Sequence, residues 1–185
     1  MILVRPYDDL AAHAVLSWLD VNDHIEAELV RGQAAGGLQL FADWRAMRGA
    51  WVAGHVFHTA PHLGAVPFAV GALVNTGQAG VAQAALLARD HARFRRPLAE
   101  VASRIAVELP EFCIRHGIHR VEARCWAGHP TASRFLRAIG FLPETDLPGF
   151  GRDGSAIFRQ FALLPRPAPD LNPEPNLKGT DHVPG

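Results

Sequence analysis

The chain has 185 residues, 49% of them hydrophobic, and its 18 Lys+Arg balance 18 Asp+Glu to a net charge of zero. That suffices for one cored domain plus an appendage, and it argues against a surface built for nucleic acid. Cys113 and Cys125 lie in apolar-patterned stretches and read as reduced core residues, not as a disulfide framework. No run approaches the roughly 20 apolar residues of a membrane span. Residues 1–9 meet an arginine and two aspartates too early for a secretory signal. These features lead us to expect a soluble cytoplasmic protein.

Residues 2–5 read as a short strand stopped by Pro6, after which Asp8 or Asp9 suits the cap of a helix. Ala11, Ala14, Val15 and Trp18 recur at helical spacing, and a second helix is expected over 24–31, ended by Gly32 and the Gly36-Gly37 pair. Residues 38–48 fit no single pattern. Strands are expected over 50–59 and 66–75, with a turn near His62, and Asn75-Thr76-Gly77-Gln78-Ala79-Gly80 turns the chain again. Residues 81–88 are almost continuously apolar, which predicts a central strand buried on both faces.

Leu98, Val101, Ala102, Ile105, Leu109, Phe112 and Cys113 form one apolar helical stripe. Pro97 suits its first turn, Pro110 predicts a kink or a break, and Gly117 a left-handed end. Residues 120–126 alternate as a strand. Ala132, Phe135, Leu136 and Ile139 define a short helix closed by Gly140, and two further strands flank the turn Gly151-Arg152-Asp153-Gly154. The domain is placed at 1–164. The prolines of 165–185 punctuate a polar stretch that buries too little to offset its ordering entropy, so this tail is read as disordered.

The order β-α-α-β-β-β-α-β-α-β-β resembles the GNAT superfamily of N-acetyltransferases. The wording is closest in His119-Arg120-Val121-Glu122-Ala123-Arg124, in Gly128-His129-Pro130-Thr131-Ala132-Ser133 and in Leu136-Arg137-Ala138-Ile139-Gly140-Phe141. The resemblance implies an α/β (α+β) fold: a mixed, mostly antiparallel sheet of about seven strands flanked by about four helices, its fourth and fifth strands splayed. It also implies acetyl-CoA as co-substrate, held between those strands by main-chain groups of Leu86, Leu87 and Ala88. Its pyrophosphate would rest at the start of the third family helix, where free N–H groups favour an anion. Arg93, Arg95, Arg96 and Ala99 fall there, with His129 and Ser133 beside the thiol arm.

The sequence departs from the family pattern at telling places. Neither glycine of the usual phosphate loop is present in Arg96-Pro97-Leu98-Ala99-Glu100-Val101, and Leu136 replaces the tyrosine that protonates the leaving thiolate. His129 replaces an asparagine. His91 and Phe94 echo, one residue short, a histidine-x-x-x-phenylalanine stretch of a phage-associated branch. Glu122 and His129 are the candidate acid–base residues, and Trp44 a candidate acceptor contact. His55 and His58 are an odd number apart on an expected strand and so face opposite ways; no metal centre is expected. The expected activity is direct transfer of an acetyl group to an amine, on a small molecule or a protein, with pairing of edge strands into a homodimer open. The rival reading is an inactive module that kept the fold.

Overall fold

The computed structural model describes residues 1–165, so the proline-rich tail read at 165–185 lies, beyond its first residue, outside the described residues. The elements run β1 (Ile2–Pro6), α1 (Asp9–Leu16), α2 (Val21–Arg31), α3 (Gly37–Ala46), β2 (Trp51–Thr59), β3 (Pro67–Asn75), β4 (Val81–Ala88), α4 (Arg95–Arg115), β5 (Arg120–Trp126), α5 (Ala132–Ile139), β6 (Leu142–Phe150) and β7 (Ala156–Leu163). Among the described residues one seven-stranded sheet has the order β1-β2-β3-β4-β5-β7-β6, and its only parallel pair is β4–β5.

Period-two alternation sorts side chains to the two faces of this sheet. Val56, Val70 and Ala72 pack with Val15, Leu16 and Trp44 of α1 and α3. Their neighbours Phe57, Ala69 and Leu73 turn the other way, toward the face that α4 and α5 cover with Val101, Ala102, Cys113 and Ile139. The α4 stripe is therefore real, and it spans Pro110: the helix continues to Arg115 because packed side chains on both sides of the proline hold it against the sheet.

Two expectations need correcting. The ambiguous stretch is the helix α3, whose buried Leu40 and Trp44 are one turn apart. Its first residue, Gly37, lies so close to α1 that a Cβ there would meet Ser17 Cα at 2.6 Å and Leu16 O at 2.8 Å, which is why a glycine pair starts this helix. Nor is β4 buried on both faces: Ala85 is exposed and Leu86 and Leu87 are half-buried.

Asp20 joins the helical layer to the sheet. Its side chain caps α2 by accepting from Asn22 N–H at 3.0 Å, its other oxygen accepts from His91 N–H at 2.9 Å, and its own N–H donates to Ala88 O at 2.9 Å. This fixes the start of α2 over the end of β4.

Candidate active site

β4 and β5 pair only through Val81↔Arg120, Ala82↔Val121 and Gln83↔Glu122. Beyond Gln83 the strands part, and residues 84–88 face 123–126 across a cleft. Main-chain direction alternates along a strand, which tells what the walls offer. Arg89 N–H bonds to Phe68 O on β3 at 2.8 Å, so Ala88 turns into the cleft, and so does Leu86 two residues earlier. Leu87 is turned back to β3. On the other wall Ala127 N–H bonds to Ile157 O at 2.8 Å, which turns Trp126 and Arg124 into the cleft. Of the three β4 residues named from the sequence, Leu86 and Ala88 thus present main-chain groups to the cleft, and Leu87 does not.

The wide end of the cleft is crossed by α2. Asp23 Oδ2 accepts from Ala88 N–H at 2.7 Å, and Glu26 Oε2 accepts from Trp126 N–H at 2.9 Å. Three residues apart, the two carboxylates lie on one helix face and each serves one wall. The outer face of this helix carries apolar residues: Val21 and Ile25, opposite Asp23, are exposed while Asp23 is buried. Reading apolar periodicity alone hides these residues, because the buried side of α2 is its acidic side.

Asp23 Oδ1 also accepts from His129 Nε2 at 3.0 Å and lies 3.2 Å from His91 Nε2. His129 Nδ1 accepts from Thr131 N–H at 3.2 Å and Ala132 N–H at 3.0 Å, capping α5. Its proton therefore sits on Nε2 and points at Asp23. That tautomer suits a hydrogen-bond relay; a metal on Nε2 would need the Nδ1 proton that the helix cap excludes. Asp23, His91 and His129 bring one ligand atom each to within 4.8 Å of one another, and His129 offers a hydrogen to that space, not a lone pair.

Burial shapes the charges. It disfavours the Asp23 anion, yet the hydrogen bonds from His129 and His91, the charge of His91 and the Ala88 N–H outweigh it and hold this carboxyl below the usual range. Burial pushes Glu26 up to about 7; Trp126 N–H and His129 oppose the rise, and the Asp23 charge adds to it. Burial disfavours a charged His91, but the hydrogen bond to Asp23 and the charges of Asp23, Asp20 and Asp90 raise it overall.

The residues singled out from the sequence divide. His129 lies in the cleft, buried, with both ring nitrogens engaged, so it positions Asp23 and α5. Ser133 stands in the first turn of α5 with its hydroxyl 3.5 Å from Cys125 Sγ. Arg93, Arg95 and Arg96 border a groove of about 450 Å³ at the start of α4, together with Thr59, Leu63, Val66 and Pro97. Ala99 is exposed one turn further along α4. Among the described residues α4 has no side-chain cap, and its first turn carries no acidic residue, so the N–H groups of Arg95 and Arg96 have no side-chain acceptor.

Glu122 is placed elsewhere: it sits at the closed end of the cleft and accepts from Arg120 Nε at 2.8 Å, an arginine that also holds Glu144. Trp44, expected to touch an acceptor, is 5% exposed and packs edge-on against Trp51 at 5.9 Å between centroids. Its size and apolarity draw it into the core. The structure brings Asp23, Glu26 and His91 together at the wide end of the cleft, with Glu122 at its closed end and Trp44 in the core. The available signal was the acidic pair at i, i+3 in a helix whose apolar residues form no inward stripe.

Solved structures share this architecture. An acetyltransferase of the GNAT family from Bacillus anthracis superposes with a TM-score of 0.65 at 11% identity, over 88% of this chain and 94% of that one. The yncA protein of Salmonella typhimurium, solved with its cofactor acetyl-CoA, gives 0.60 at 15% identity over 92% and 99%. A ribosomal-protein-alanine N-acetyltransferase from Brucella melitensis gives 0.60 at 15% over 88% and 99%. No protein-family profile and no curated protein matches the chain. At these identities the likeness is one of fold: the chain takes the GNAT fold, with parallel, splayed fourth and fifth strands. Among the described residues no helix is long and apolar enough to cross a membrane.

Proposed function

We propose that this chain transfers an acyl group, acetyl first among them, from acyl-CoA directly to an amine. The parting of β4 and β5 after Gln83↔Glu122 carries the reading, because it leaves Leu86 with a main-chain donor and acceptor turned into a cleft. An extended thioester arm can use such groups as an added strand would, and an N–H fixed beside a thioester carbonyl polarises it. The pyrophosphate fits the start of α4, where Arg93, Arg95 and Arg96 stand beside free N–H groups.

Glu26 is the proton acceptor of this reading. An ammonium must lose a proton before it attacks, and a carboxyl near pKa 7 both takes that proton and is ionised often enough to do so. Direct transfer is favoured over an acyl-enzyme because burial pushes the Cys125 thiol up, away from the nucleophilic thiolate. The experiment is a melting series with CoA and acetyl-CoA, followed by turnover on a panel of primary amines. A ligand that binds only the folded state raises the melting temperature. A rise together with turnover supports the reading.

One observation favours a second reading, an inactive module. Asp23 and Glu26 already occupy the amides of Ala88 and Trp126, so α2 stands across the wide end of the cleft. Val101 and Leu136, where the family pattern has a small residue and a tyrosine, point the same way. No melting shift in saturating acetyl-CoA would select this reading.

A further inference from the structure

Leu136 leaves the leaving thiolate without the hydroxyl that the family pattern places there, yet the cleft holds another proton. We propose that His91 is the catalytic acid that protonates the departing CoA thiolate, with Asp23 and His129 as its positioning residues; this rests on the acyltransfer reading. His91 stands three residues beyond Ala88, where the β4 wall ends, and its backbone N–H is fixed by Asp20. Its ring is 19% exposed at the side chain, so it is held but reachable.

The two ring nitrogens differ in use. Nε2 faces Asp23 Oδ1 at 3.2 Å, and His129 Nε2 feeds the same oxygen from the other side at 3.0 Å. Among the described residues Nδ1 has only distant neighbours, Thr131 Oγ1 at 3.5 Å and Asp20 Oδ1 at 3.7 Å. Contacts of that length are weak or absent as hydrogen bonds, so the Nδ1 proton of the imidazolium is the one free to leave. Asp23 holds both Ala88 N–H, where β4 ends, and this ring, and Thr131 leads into α5, so the ring stands at the wide end of the cleft.

The charged and titratable groups facing the ring are Asp20 and Asp23 from α2 and its cap, Asp90 from its own loop, and His129 from the loop before α5. The acids outnumber the one other base, so the imidazolium is favoured, as its raised pKa agrees. In the step, once Glu26 has taken the ammonium proton and passed it to water, the amine nitrogen's lone pair forms the N–C bond, the C–S bond breaks with its electrons going to sulfur, the sulfur takes the Nδ1 proton of His91, and the proton shed by the new amide nitrogen passes to Glu26. His91 is left neutral with its Nε2 proton still on Asp23, and water returns the Nδ1 proton.

The test compares wild type and His91→Gln with two acetyl donors and the amine panel. With acetyl-CoA, whose thiolate needs a proton, the variant loses about 100-fold or more in kcat, together with the alkaline limb of the pH profile. With 4-nitrothiophenyl acetate, whose thiolate leaves unaided, the loss stays within about threefold. Equal losses on the two donors, or an alkaline limb that persists, would overturn the proposal. Should His91→Gln fail to fold, Asp23→Asn serves: it removes the anion that favours the imidazolium and must move the alkaline limb to lower pH, and an unmoved limb rejects the assignment. Wild type inert toward acetyl-CoA would sink the acyltransfer reading and this inference with it, an outcome distinct from a His91 variant that leaves wild-type turnover intact.

Discussion

Asp23 and Glu26 stand one turn apart on α2 and hold opposite walls of one cleft, through Ala88 N–H at 2.7 Å and Trp126 N–H at 2.9 Å. A helix that turns carboxylates toward a sheet and leaves Val21 and Ile25 toward water is an unusual use of amphipathicity. It follows from what the parted strands lack: two amides without strand partners need acceptors, and α2 supplies them.

Glu26→Gln tests the buried carboxyl. Its folded pKa, about 7, lies above its ordinary value of 4.5, so the folded state binds the extra proton and stability falls as pH rises from 4.5 through 7. Removing the charge should therefore leave the melting temperature unchanged near pH 4.5 and raise it at pH 8. The upper bound is ~3 kcal/mol, or several degrees in a domain of this size. Acyl transfer should fall about 100-fold in the same variant. A variant that melts no higher at pH 8 would contradict the assignment.

Asp23→Ala should be costly. It strands the Ala88 N–H and leaves the Nε2 protons of His129 and His91 without their shared acceptor. Removing one partner of a buried charged network costs about 3–5 kcal/mol. Denaturant melts would show it, and a loss below about 1 kcal/mol would mean that water replaces the carboxylate easily.

Glu122→Gln should do little. The residue lies at the closed end, paired with Arg120, which keeps its bidentate hold on Glu144. A partly exposed pair of this kind contributes about 0–1 kcal/mol, and turnover should stay within about twofold of wild type. A large drop in kcat at unchanged stability would return Glu122 to the reaction.

Gly37→Ala separates fold from chemistry. The added carbon would press on the α1 backbone at Ser17 and Leu16, which cannot swing aside as a side chain can. A loss of about 1–3 kcal/mol is expected in denaturant melts, with affinity for acetyl-CoA unchanged. A variant as stable as wild type would show that α3 docks with slack.

What could be read from the sequence followed from burial. The strands and the α4 stripe were legible because Val56, Val70, Val101 and Ile105 record which side faces the core. The polar side of the site was not, because Asp23 and Glu26 invert that code, and because the partners of Glu122 depend on register and on β6, which local pattern does not encode. Trp44 is a different case. A large aromatic near an expected pocket invites a functional reading, but its area is more stably buried against Trp51.

The cleft itself is tested most directly by following backbone amide resonances during a titration with CoA. The account predicts selective shifts at Leu86, Ala88, Arg124 and Trp126 on the two walls, with further shifts at Arg95 and Arg96 where α4 begins. Shifts confined to other surfaces, or none at saturating CoA, would mean that the parted strands hold no thioester arm.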